Sequence, residues 1–169
     1  MADIIKRIPV PDDFNPPTEL TFEDLVAKPL TRSALKDDLE AVNSSAKTIL
    51  KTRGGSWPTE ELSEDFDLLD LAWHEREFRD KTSFAYVVYD QSGAYIGCFY
   101  LYPIGERTPY SKDTKGFDID ASWWVTTNAY NEGYYEKLYA AIQVWLANEF
   151  SFANVIYSNK LVPRGEGAS

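Results

Sequence analysis

The sequence predicts an α+β domain, a mixed sheet (α/β mixed) whose elements run in the order β-α-α-β-β-β-α-β. Three segments carry that prediction. Two β-rich arms flank Gln91, Ser92 and Gly93, a strictly alternating strand follows Gly116, and a long apolar stripe at helical spacing follows Gly133. At 169 residues, with 44% hydrophobic and 15% aromatic side chains, the chain is sized for one packed core.

Residues 1–19 hold Pro9, Pro11, Pro16 and Pro17 with the turn formers Asp12, Asp13 and Asn15, so they read as an extended arm ahead of a single domain at 20–160. Residues 20–28 read as a first strand, ended by Pro29, which has no amide hydrogen to give a ladder. Ser33 then precedes ALKDDLEAVNSS, where Leu35, Leu39 and Val42 recur at helical spacing behind a serine cap. The GGSWP segment at 54–58 breaks the chain. Beyond it, Leu62, Phe66, Leu69 and Trp73 trace the apolar face of a second helix that runs to about Asp80.

SFAYVVYD and AYIGCFYLYP form the arms of a hairpin turned at 91–93. After a polar loop at 103–115, GFDIDASWWV puts Phe117, Ile119, Ala121, Trp123 and Val125 on one face and Asp118, Asp120, Ser122 and Trp124 on the other. The pattern breaks across 126–133. It resumes as a helix whose stripe is Leu138, Ala141, Ile142, Trp145 and Leu146, and ANVIYSNKL supplies a last strand. LVPRG at 161–165 resembles a thrombin-cleavage linker of the kind used in expression vectors, so 161–169 reads as a tail without a functional part.

A formal charge of −10 argues against wholesale binding to a nucleic-acid backbone, whose affinity comes from lysines and arginines. It favours a cationic or amine-bearing partner, while serving solubility equally well. Nothing approaches the roughly 20 apolar residues of a membrane span, and MADIIKRIPVPDDF has no apolar signal core. Cys98 is the single cysteine, which rules out an internal disulfide and suits a reducing, cytoplasmic setting.

The order of elements, with the phrases DLEAVNSS, WPTEEL, DLAWHEREF, FAYVVYD, YIGCFYLYP and WWV, resembles a divergent bacterial branch of the GNAT superfamily of N-acetyltransferases over residues 20–157. Family members run their fourth strand from a terminal valine into a loop patterned V-x-P-x-x-R-G-x-G-x-G/A, then a helix carrying a leucine. Val125, Gly133 and Leu138 take the places of the valine, the second glycine and the leucine. Thr127, Tyr130, Asn131 and Tyr135 stand where the family has proline, arginine, the first glycine and the third small residue.

That loop works by aiming bare N–H groups and a helix N-terminus at a pyrophosphate. The resemblance therefore implies acetyl-CoA as cofactor, with the backbone at Trp124 and Val125 pairing with its pantetheine arm and Asn131, Glu132, Gly133 and Tyr134 facing its phosphates. It also implies a C-terminally shortened fold, since roughly nine residues follow Lys160. A small amine would attack the thioester directly, and a carboxylate would take its proton.

Asp118 and Asp120, on the polar face of the alternating strand, are the candidate bases, Asp120 foremost because it lies nearer the strand's end. Both also read as ordinary solvated carboxylates. Family members protonate the leaving thiolate with a tyrosine beyond the fifth strand, and Tyr157 is the substitute here. His74 opens WHEREF as a zinc signature would, but Phe78 stands in the place of the second ligand, so no metal site is expected.

His74 is left as a helper base or a structural histidine, and Cys98 as a small core residue. Tyr86, Tyr89, Phe99, Tyr100, Tyr102, Trp123 and Trp124 supply either core or the wall of a ligand slot. Two functional readings stay open: an acyl-CoA-dependent N-acetyltransferase acting on an amine, and a catalytically degenerate module binding a small ligand or a protein partner. An uncovered sheet edge adds the expectation of a homodimer.

Overall fold

A computed structural model of the chain describes residues 7–150 and 152–163; the start of the arm, residue 151 and the end of the linker-like tail lie outside them. Six strands form one sheet in sequence order, antiparallel from β1 to β5 and parallel between β5 and β6. The single strand expected at 20–28 is two, β1 (Leu20–Phe22) and β2 (Leu25–Pro29), joined by a tight turn in which Glu23 takes a φ of 50°. Side-chain parity explains the correction. Leu20, Leu25 and Ala27 all lie in one core cluster, and an unbroken strand would have sent Leu20 to the opposite face from the other two.

β3 (Phe84–Asp90) and β4 (Tyr95–Pro103) form the expected hairpin, with the Asp90 carboxylate accepting from the Ser92 and Ala94 N–H groups in the turn. β5 (Ile119–Val125) follows, buried on both faces, and β6 (Val155–Tyr157) closes the sheet. Gly97 of β4 faces Val125 so closely that a Cβ there would lie 2.0 Å from the Trp124 carbonyl oxygen. Only glycine admits that approach.

α1 (Leu35–Thr52) runs past the segment expected for it and starts from a single 3-10 turn. Ser33 does not cap it, its hydroxyl being bonded to that of Thr31. α2 (Glu64–Asp80) is capped by Ser63, whose hydroxyl accepts from the Phe66 N–H at 3.1 Å. Both helices cover the sheet face that carries Val87, Cys98, Tyr100 and Trp124. α3 (Thr127–Asn131) occupies the segment read as a break. α4 (Tyr134–Trp145), prolonged by a π turn at Leu146–Phe150, covers the other face with the stripe expected of it.

The apolar face predicted for α2 is its solvent face. Phe66, Leu69 and Trp73 are 54%, 68% and 55% exposed, while Asp67, Leu71 and His74 are buried. Neither carboxylate oxygen of Asp67 has a hydrogen-bond partner among the described residues; burial, and then the charge of Asp38 on α1, push its pKa up and favour the protonated form. Tyr95 donates its hydroxyl to Asp38 at 2.5 Å. Among the described residues, no helix is long and apolar enough to cross a membrane.

Candidate functional site

The strand-to-helix junction after β5 is built around a divergence. β5 and β6 pair only from Ile119 with Val155 to Ala121 with Tyr157. The Ser158 N–H still reaches the Ala121 carbonyl at 2.9 Å, but at the next position a side chain replaces the strand. Asn159 Oδ1 accepts from the Trp123 N–H at 3.0 Å, and Asn159 Nδ2 donates to the Trp123 carbonyl at 2.9 Å. The chain then crosses to the end of α1, where Lys160 and Leu161 donate to the carbonyls of Arg53 and Thr52. Tyr135 closes the gap by donating its hydroxyl to the Leu161 carbonyl while accepting from Asn159 Nδ2 at 2.7 Å.

Of the residues expected to face phosphates, Asn131 ends α3 and Gly133 begins α4 in the left-handed region at a φ of 86°. The Glu132 N–H bonds to the Asn128 and Ala129 carbonyls, and the Gly133 N–H to that of Tyr130. Those donors are consumed in ending α3. Tyr134 turns away and donates its hydroxyl to Asp24 at 2.5 Å. An open groove beside the junction is lined by Asp37, Glu40, Asp90 and Glu132, so its field is negative. Trp124 and Val125 are fully buried, the former donating Nε1–H to the Tyr100 hydroxyl at 2.8 Å.

The structure does not bring Asp118, Asp120 and Tyr157 together. Asp118 accepts from the Ala153 and Asn154 N–H groups at 3.0 and 3.1 Å, fixing the turn into β6. Asp120 is fully buried opposite Tyr102; Oδ2 accepts from the Thr108 hydroxyl, and Oδ1 has no partner among the described residues. Tyr157 lies on the α4 face, its ring 5.0 Å from that of Tyr139, and burial pushes its hydroxyl pKa up.

A second site, missed in the sequence, lies under α2. Asp70, His74 and Glu77 stand on successive turns and line a cavity of about 210 Å³, with Trp57, Tyr100, Tyr102 and Glu106 among the other lining residues. Tyr100 and Tyr102 stack with ring centres 5.9 Å apart. Arg53, which caps α1, is 7% exposed; its Nε donates to Ser122 Oγ of β5 at 3.2 Å, and its guanidinium carbon sits 4.5 Å from the Tyr100 ring centre. Among the described residues its two Nη groups have no hydrogen-bond or ion-pair partner.

His74 lies with Nε2 3.6 Å from Asp70 Oδ2, its ring 5.4 Å from that of Tyr100 and its Nδ1 buried without a partner among the described residues. Burial pulls its pKa down and Arg53 adds to that, against the opposing pull of Asp70. Burial pushes the Glu77 carboxyl up. The signal was present in the sequence: Asp67, Asp70, His74 and Glu77 recur at intervals of three or four, the spacing of one helix face. It was hidden because the neighbouring apolar stripe has the same period.

Sheet, helices and split edge together define the fold of the GNAT acetyltransferases. A ribosomal-protein-S5-alanine acetyltransferase from Vibrio fischeri matches with a TM-score of 0.60 at 10% identity, over 82% of this chain and 72% of that one. A GNAT-family acetyltransferase from Bacillus anthracis matches at 0.56 and 12% identity, over 81% and 70% of the two chains. A ribosomal alpha-N-protein acetyltransferase in complex with coenzyme A matches at 0.55 and 11% identity, over 75% and 67%. No protein-family model matches the sequence, and no curated protein does. Identities this low establish the fold and leave the activity to be argued from the site.

Proposed function

We propose that the chain is an N-acyltransferase that moves an acyl group from an acyl-CoA to a small amine held in the cavity under α2. The observation that carries the reading is the arrangement around two adjacent residues of β5. Ser122 is bonded by Arg53 on the cavity side, and Trp123 is bonded by Asn159 where the sheet edge splits. Acceptor and donor sides thus meet across one strand.

In this reading the amine enters the cavity beside Tyr102, and Glu77 takes its proton. Burial raises the Glu77 pKa, which brings a carboxylate nearer the range of a useful base. Asp120, on the same face beside Tyr102, is fully buried and bonded to Thr108 outside the cavity lining, so it backs the wall and does not meet the amine. Asp118 and Tyr157 take no part, one being spent on a turn and the other facing α4. The free, buried thiol of Cys98 suits the cytoplasmic setting that the reading assumes.

Coenzyme A would have to displace contacts that the junction now makes. The N–H groups of Glu132 and Gly133 are already bonded, the neighbouring groove is acidic, and the contact between Tyr135 and Leu161 bars the way along β5. That displacement favours a second reading, in which the chain keeps the ligand site under α2 and transfers nothing.

Titration with acetyl-CoA, followed by heat and by melting temperature, separates the two. Acyl transfer predicts binding and a thiol release from acetyl-CoA in the presence of amines that Glu77→Gln abolishes. Absence of heat and of any melting shift at millimolar acetyl-CoA overturns the transfer and leaves the binding module.

A further inference from the structure

We propose that the cavity under α2 takes a small zwitterion, a free α-amino acid or a molecule with the same two ends, whose carboxylate is held by Arg53 and whose ammonium is held by Glu77 and Asp70. The inference names the ligand class of the site just described and rests on that cavity being the ligand site, whether or not an acyl group is transferred.

Arg53 carries the argument. The Arg53 residue as a whole is 7% exposed, and its side chain lines the cavity. Asp70 and Glu77 share that cavity, and among the described residues neither forms an ion pair with Arg53. The side chain is nevertheless held in place by Ser122 on one side and the Tyr100 ring beneath. A fixed planar fork whose Nη groups have no partner among the described residues is the geometry that receives a carboxylate through two parallel hydrogen bonds.

The rest of the cavity is of the opposite sign. Asp70 and Glu77 project from α2, and the stacked faces of Tyr100 and Tyr102 lie between them and β4. Carboxylates beside aromatic faces are the chemistry that holds an ammonium group. His74 Nδ1, buried and without a partner among the described residues, adds one more hydrogen-bonding position in the same wall. A volume of about 210 Å³ lies below the 300–1,000 Å³ usual for drug-sized ligands, which limits the occupant to a compact molecule.

The test uses the full chain and the common L-amino acids at millimolar concentration, read by tryptophan fluorescence, since Trp57 and Trp73 line the cavity, and by calorimetry. For any amino acid that binds, its amide retains only the ammonium and its N-acetyl form only the carboxylate. At least one free amino acid is expected to bind at least tenfold more tightly than both of these. Arg53→Lys should weaken the zwitterion and leave the amide unchanged. Glu77→Gln, a half-exposed site that does not endanger folding, should weaken the zwitterion and leave the N-acetyl form unchanged. Failure of every amino acid to bind overturns the proposal, and so does equal binding of either half-charged analogue. A protein that binds amino acids but not acetyl-CoA keeps this inference and loses only the transfer.

Discussion

Asn159 stands in for a strand opposite Trp123: its amide oxygen takes the tryptophan's N–H at 3.0 Å and its amide nitrogen reaches the carbonyl of the same residue at 2.9 Å. Both partners are buried, so nothing else replaces the bonds cheaply. Asn159→Ala should destabilise the fold by about 1–3 kcal/mol for each main-chain group left unpaired. Asn159→Asp keeps the acceptor but turns a carboxylate oxygen on the Trp123 carbonyl in a buried place, and should destabilise at least as much as alanine. The midpoint of urea unfolding measures both. An unchanged midpoint for alanine would show that water fills the place of the amide.

The carboxyl pair between α1 and α2 makes stability depend on pH. Burial first, and the charge of Asp38 second, push the pKa of Asp67 from 3.8 up to about 8. Between those values the folded chain keeps a proton that the unfolded chain releases, so stability falls as pH climbs through this interval and the contribution is lost above about pH 8. Wild type should therefore melt lower at about pH 9 than at about pH 6, with roughly 2–4 °C for each kcal/mol lost. Asp67→Asn, which needs no proton, should flatten that difference. A slope of the same size in the variant would place its origin elsewhere.

The orientation of α2 is open to a direct comparison. Leu71→Ala should cost about 2–5 kcal/mol, as for other buried leucines, since Leu71 is fully buried. Leu69→Ser, at a position 68% exposed, should stay within about 0.5 kcal/mol of the native chain. Equilibrium unfolding in urea reads both. The reverse order would mean that the helix seats its other face.

Where one periodicity dominated, the sequence was legible. The alternation through Ile119, Ala121, Trp123 and Val125 and the stripe from Leu138 to Leu146 put those side chains where the core has them. Two competing periods defeated the reading of α2, because Phe66, Leu69 and Trp73 repeat with the same spacing as Asp67, His74 and Glu77, and hydrophobicity alone chose the wrong one. The turn at Glu23 escaped notice because no glycine or asparagine marks it; it is held from afar by Lys137, which reaches Glu23 and Asp24.

The site was harder still. Asp120 was placed on the right face, but its burial is decided by the loop carrying Thr108, which no local pattern announces. The cavity under α2 unites Arg53, His74 and Tyr100, residues more than twenty positions apart, and so became visible only once the helices were docked.

The inward turn of α2 also bears on how long the chain survives. It buries one ring nitrogen, His74 Nδ1, that has no partner among the described residues, and it sets Arg53 in the same wall. Whatever solute fills the cavity then acts as a missing internal part. At a concentration one hundred times its Kd, such a solute adds about 2.7 kcal/mol to the folded state. That rivals what a buried leucine contributes, so the supply of one small molecule would set the resistance of this chain to unfolding and to the proteases that wait on it.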